Sequence, residues 1–217
     1  MKSHAKLACC SITLAVAVAL ATLPAQANDI TKEWDSVKPP PVPELKSATV
    51  DPKTTALLAL DFMKGNCGVR PRCASTIPVA NKLIEQAHAH DMLVIYTLVG
   101  ENPKPEGMAD GIQKPRDGEW IERGGADKFI NSDIEQRLKA RGIKTVIVMG
   151  TSAQGAVVGT SNGAVQRGFQ AVVPVDAMSA EDPYNEQYAA WHLYKGGPVY
   201  LPKNVTLTRG DMIKFGN

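Results

Sequence analysis

Short, fully apolar runs alternate along this chain with segments whose apolar positions recur every three to four residues. Thr55-Ala-Leu-Leu-Ala-Leu60 has only one side chain with a polar atom, the mark of a strand buried on both faces of a parallel sheet. The run ends in a carboxylate, so a strand is expected over Thr55–Asp61. Val79, Leu83, Ile84 and Ala87 share a helical face and predict a helix over about Thr76–His90. Met92–Val99 reads as the next strand, whereas Gly100–Asp127 has no clear period. Ser132-Asp-Ile-Glu135 has the form of a capping box opening a helix to about Arg141, which Gly142 closes. Thr145–Met149 is again strand-like. It breaks at Gly150, and helical periodicity resumes near Gln154. Phe169–Val175, a helix from Asp182-Pro183 toward Tyr194, and a short strand at Val205–Thr208 complete the pattern. Alternation of this kind implies an α/β fold of three layers, α/β/α, around a mostly parallel central sheet.

Two N-terminal segments fall outside that alternation. Residues 1–27 have the form of a cleavable signal peptide, with Lys2 and Lys6 ahead of an apolar stretch from Ile12 to Leu23 and Ala25-Gln26-Ala27 as the cleavage site. The apolar stretch is short of the roughly 20 residues that a membrane span needs. A secreted or periplasmic protein with cleavage after Ala27 is therefore expected. Residues 28–53 read as a proline-rich arm, since Lys38-Pro-Pro-Pro-Val-Pro43 favours extended polyproline geometry. The domain proper is expected over residues 54–217.

Charge changes the picture by removing partners. Loss of Lys2 and Lys6 would bring the 24 basic residues level with the 22 acidic ones. A neutral mature chain offers nothing to nucleic acid or to a membrane surface. Of the cysteines, Cys67 and Cys73 lie beyond the signal segment. In an oxidising compartment a disulfide between them is the leading reading, and so small a ring would stabilise by about 2–2.5 kcal/mol. The competing reading makes Cys67 a nucleophile close to Asp61.

The densest chemical signal is Thr145-Val-Ile-Val-Met-Gly-Thr-Ser-Ala-Gln-Gly-Ala156, a strand that turns into a helix. Such a turn points backbone N–H groups into a pocket at the carboxyl edge of a sheet. Gly155, Gly159 and Gly163 lie at helical spacing in and beyond this turn, a stripe suited to close approach by the sheet or a partner. Neither G-x-G-x-x-G nor G-K-[ST] occurs, which excludes a dinucleotide fingerprint or a phosphate loop. At the end of a buried strand, Asp61 is costly unless paired or used.

The pieces from about Thr55 to Met178 resemble the isochorismatase-like hydrolases, the family that includes nicotinamidases and other cysteine hydrolases. The resemblance implies a Rossmann-like fold, a small-molecule substrate and a homo-oligomer. It makes Asp61 the catalytic aspartate. The catalytic lysine falls to Arg123 by counting back from Phe129, or to the neighbouring Lys128. The cysteine position, six residues after Gly150, is held by Ala156, so the nucleophile is missing. The amides of Ser152 and Ala156 correspond to the oxyanion hole, with a non-proline cis peptide expected at Thr151–Ser152. Isochorismatases proper lack the cysteine too and cleave an enol ether with the aspartate and a water, so hydrolysis without a covalent intermediate remains open.

Phe62, Trp120 and Phe129 are candidates for the pocket wall. His88 and His90 are two apart on a helix and do not form a ligand pair. The segment after the second strand, Tyr96-Thr-Leu-Val-Gly-Glu101, carries no histidine, so neither metal nor cofactor is expected. Two functions are consistent with these residues: an exported hydrolase dependent on Asp61, with Arg123 or Lys128 as the electrophile, or a catalytically retired member that binds or assembles.

Overall fold

The computed structural model describes residues 29–100 and 103–216; the expected signal segment lies outside them. The chain divides into two units, the second beginning at Pro40. The described part of the first unit is a short turn of helix, α1 (Ile30–Glu33), whose N-cap Asp29 accepts from the Thr31 amide, followed by a 3-10 turn at Trp34–Ser36.

In the second unit the strands are β1 (Ala48–Val50), β2 (Thr55–Leu60), β3 (Leu93–Leu98), β4 (Trp120–Arg123), β5 (Thr145–Thr151), β6 (Gln170–Pro174), β7 (Met178–Ser179), β8 (Val205–Thr208) and β9 (Ile213–Phe215). The helices are α2 (Lys64–Cys67), α3 (Pro71–Ala89), α4 (Ile134–Ala140), α5 (Val158–Gln166), α6 (Pro183–Trp191) and α7 (Leu201–Asn204). Six strands run in the order β4-β3-β2-β5-β6-β8, and β7 pairs with the end of β5. Every pairing in this sheet is parallel. The architecture is the three-layer α/β/α fold that the alternation of strand and helix implied.

Why β2 and β5 are apolar on both faces is visible in the packing. Leu57 and Ala59 of β2, with Ile147 and Met149 of β5, join a core under Ala80, Leu83, Ile84 and Ala87 of α3. Their neighbours Ala56, Leu58 and Leu60, with Val146 and Val148, join the opposite core. That core takes Ile134 and Leu138 from α4 and Ala164 and Val165 from α5. Successive side chains point to opposite faces, so a strand covered on both sides has no polar position to spare.

The structure departs from the sequence reading in several segments: α3 begins at Pro71, and α2, β7 and α7 have no counterpart in that reading. The unperiodic stretch Gly100–Asp127 contains β4, whose side chains are only partly covered because it is an edge strand. The arm ends in structure: Ala48 and Val50 are buried, and β1 pairs with β9 from the far end of the chain. The capping box at Ser132 does not form. The N-cap of α4 is Asp133, without a side-chain cap, and the Ser132 hydroxyl donates to the carbonyl of Lys128.

Candidate active site

The central strands β2 and β5 end side by side, with Leu60 in register with Gly150. A Cβ on Gly150 would collide with the Leu60 carbonyl, and its φ is +131°. Only glycine accepts both conditions. The chain turns just beyond the two strand ends, and the residues after each strand reach a common cavity.

After β2 comes Asp61, held at φ +55°. That left-handed conformation is uncommon for a residue with a side chain, and it is fixed on both sides. The Asp61 amide donates to the Thr97 carbonyl at 2.9 Å. The Asp61 carbonyl accepts from the Met63 amide at 2.8 Å and from Asn66 Nδ2 at 2.9 Å. Its carboxylate is buried. Thr97 Oγ1 donates to Oδ1 at 2.9 Å, and Lys128 Nζ donates to Oδ1 and Oδ2 at 2.9 and 2.6 Å. Burial pushes the Asp61 carboxyl above the ordinary carboxylate range, while the Lys128 charge and the hydrogen bonds from Lys128 and Thr97 pull it back.

Lys128 is fully buried and arrives from a loop that is clamped to α5. Its amide donates to Thr160 Oγ1 at 3.3 Å, and that hydroxyl donates to the Ala126 carbonyl at 3.2 Å. The Asp127 carboxylate accepts from the Phe129 amide and from Arg167 Nη1 at 2.9 and 3.2 Å. The glycine stripe has its explanation here. A Cβ on Gly159 would stand 2.7 Å from the Ala126 carbonyl oxygen, and one on Gly163 would strike the Asp127 carboxylate. The stripe brings the lysine loop onto the helix.

After β5 the chain passes through a cis peptide at Thr151–Ser152, at the position expected. The next turn, Ala153–Val157, is a single π-helical turn leading into α5. The Ser152 carbonyl accepts from the amides of Gly155 and Val157, both at 3.2 Å. A cavity of about 310 Å³ lies over these residues, lined by Asp61, Asn66, Arg70, Thr151, Ser152 and Ala156, with Val99, Gly155 and the Gly125-Ala126 segment.

Of the two candidates for the cation, the structure brings Lys128 to Asp61. Arg123 sits exposed at the end of the edge strand β4, paired in register with Leu98. Counting back from Phe129 misplaces it because the loop from Gly124 to Phe129 folds back on itself, as shown by the Lys128 Nζ contact with the Gly124 carbonyl at 3.3 Å. None of the three aromatic candidates lines the cavity. Phe62 is buried in the core beneath α3, Phe129 stacks on Phe169 at 5.8 Å, and Trp120 lies under the Arg137 guanidinium at 4.6 Å. A disulfide joins Cys67 to Cys73, so Cys67 is no free nucleophile. Sequence reasoning misses Asn66 and Arg70, although their neighbourhood, the short cysteine ring after Asp61, is an available signal. His88 bonds Glu119 at 2.7 Å and His90 stacks on Phe215, so the two histidines part company.

Residues 55–201 match the model of the isochorismatase domain. The chain is 23% identical over 159 residues to the uncharacterized isochorismatase family protein YwoC of Bacillus subtilis, an alignment covering 62% of this chain and 82% of that protein. Its fold is similar to that of N-carbamoylsarcosine amidase from Thermoplasma acidophilum, with 24% identity and a TM-score of 0.60 across 73% of this chain and 97% of that one. It is also similar to a cysteine hydrolase from Pseudomonas syringae pv. phaseolicola, with 18% identity and a TM-score of 0.64 across 80% and 95% of the two chains.

Proposed function

Since the chain belongs to the isochorismatase family of hydrolases, we propose that it hydrolyses a small molecule by chemistry that depends on Asp61 and forms no covalent intermediate. The observation that carries this reading is the buried Asp61–Lys128 pair beside a cavity in which Ala156 occupies the turn after β5. Asp61 takes a proton from water as the water attacks, and returns that proton to the leaving group as the scissile bond breaks. Lys128 keeps the carboxylate ionised and in place, because an opposite charge this close favours the charged form. The amides of Ser152 and Ala156, at the π-helical turn, face the oxygen on which charge develops. An alanine methyl can neither attack nor leave, so water is the nucleophile.

The test is turnover against a panel of enol ethers, amides and imides, with wild type compared with Asp61→Asn. Loss of about 10²–10⁴-fold in the variant supports an acid–base role for Asp61. Ala156 also favours a second reading, a member retired from catalysis that binds a small molecule in the same cavity. Ligand binding without turnover of any panel member would select it. We further propose that the protein is exported; the Cys67–Cys73 disulfide supports this, since such bridges persist in oxidising compartments. Cell fractionation with N-terminal sequencing of the mature chain tests it.

A further inference from the structure

The Asp61 charge is answered by Lys128 within hydrogen-bond distance on both carboxylate oxygens, which leaves a second cation at the cavity without a role in that pair. Among the described residues that line the cavity, Asp61 is the one acid and Arg70 the one base. Asp61 is 4% exposed, whereas Arg70 is only partly covered. The acid is thus at the floor and the base nearer the mouth. Arg72, two residues on, is engaged by Glu186, with Nε donating to Oε1 at 2.9 Å. The Arg70 side chain has no hydrogen-bond or ion-pair partner among the described residues.

The backbone of Arg70 is firmly placed. Its amide donates to the Asn66 carbonyl at 3.0 Å, and its carbonyl accepts from the Ala74 amide at 3.1 Å. It is the N-cap residue of the long helix α3, with Pro71 next, and it lies inside the ring closed by Cys67 and Cys73. Asn66 ties the start of this ring to the floor through its bond to the Asp61 carbonyl. A guanidinium on a rigid base, at the mouth of a cavity whose own acid is already neutralised, suits a planar anion that it can bind with two parallel hydrogen bonds.

We infer that Arg70 is the specificity-determining residue of the cavity, and that the substrate is a small carboxylate whose anion docks on Arg70 while its scissile bond lies over Asp61. This rests on the hydrolase reading above and adds to it the charge of the substrate. The remaining polar side chains of the wall, Asn66, Thr151 and Ser152, carry no charge, so Arg70 is the one cation on it.

Binding of two probes of one shape, benzoate and benzamide, tests the inference without any turnover. By titration calorimetry or ligand-observed NMR on the whole mature protein, benzoate should bind about tenfold or more tightly than benzamide, the effect of one charge-assisted contact. Arg70→Gln should abolish the difference by weakening benzoate alone, and Arg70→Lys should restore part of it. Equal affinities, undetectable binding of both probes, or a preference that survives Arg70→Gln would overturn the inference. A protein that prefers benzoate yet turns over no panel substrate would instead count against the hydrolase reading, so the two failures are distinguishable.

Discussion

Lys128 Nζ lies 2.6 Å from Asp61 Oδ2, and both groups are buried, across 67 residues of chain. Two charges removed from water are tolerable only together. The pair therefore joins the end of β2 to a loop otherwise held by its clamp on α5 and by the stacking of Phe129 on Phe169.

Breaking the pair from one side should be expensive. Lys128→Met leaves an uncompensated buried carboxylate and is expected to destabilise by about 3–5 kcal/mol. Adding Asp61→Asn to the same chain should return much of that loss, because the amide carries no charge to be answered. A double-mutant cycle by urea denaturation measures the coupling; additive effects would mean the two groups are independent.

The pH dependence is set by the direction of the Asp61 shift. Burial raises the carboxyl above its ordinary value of about 4, and a general base must be ionised. Activity should therefore fall as pH drops through a value above about 4. A rate that falls instead as pH rises through that value would make Asp61 the proton donor. Thr97→Val removes a hydrogen bond that favours the ionised form, so it should move the acidic limb to higher pH. A pH–rate profile of both proteins reads out the sign.

The glycine stripe gives a geometric prediction. Gly159→Ala puts a methyl against the Ala126 carbonyl, and overpacking of this kind costs about 1–3 kcal/mol. Since the displaced segment carries Lys128, activity should fall with stability. Gly65→Ala meets nothing within 4 Å and should change stability by less than about 0.5 kcal/mol. Thermal melts of the two variants, with rates at a temperature where both are folded, separate the effects.

Legibility in the chain depends on how local each signal is. Asp61 can be found because a buried apolar strand ending in a carboxylate is unusual wherever it occurs, and the turn after β5 because Gly150 marks it. Lys128 cannot be told from Arg123 by counting, since the answer lies in how the loop between Gly124 and Phe129 folds back against Thr160. The aromatics mislead for a related reason. Phe129 is adjacent to Lys128 but points the other way, onto Phe169 and Arg167. The β1–β9 pairing joins Ala48 to Ile213, and three-residue strands so far apart carry no periodicity to read. Ser132 and Glu135 match a capping box, yet the helix starts one residue later, with Asp133 at the N-cap, and the Ser132 hydroxyl donates four residues back to the Lys128 carbonyl, one local contact replacing another.

Reduction should weaken the protein measurably. The Cys67–Cys73 ring spans a separation of 6 residues, for which loop entropy gives about 2–2.5 kcal/mol. For a chain of this size that corresponds to a fall of roughly 4–10 °C in Tm. Calorimetry with and without reductant checks it, and intact mass should shift by a pair of hydrogens. Two freely alkylating thiols in the unreduced protein would contradict the bridge and reopen Cys67 as a nucleophile.

The proposed mechanism predicts that no acyl-enzyme forms. Covalent catalysis needs a nucleophile beside its base, and the residue beside the Ser152 turn is Ala156, whose methyl offers none. Thiol alkylation of the unreduced protein should leave activity intact, while Asp61→Asn lowers it by about 10²–10⁴-fold. Abolition by a thiol reagent, or a substrate adduct trapped on any residue, would refute the claim. The converse variant is equally informative. Ala156→Cys places a thiol in the cavity shared with Asp61 and the Ser152 turn, where a carboxylate base can draw off its proton. That variant should acquire sensitivity to alkylation and a burst of product on amide substrates that the pocket accepts, because acylation then precedes a slower hydrolysis. A variant that gains the thiol but shows neither property would mean that position 156 does not face the reacting carbonyl. Water would then not be fixed as the nucleophile by Ala156, even if Asp61 remained essential.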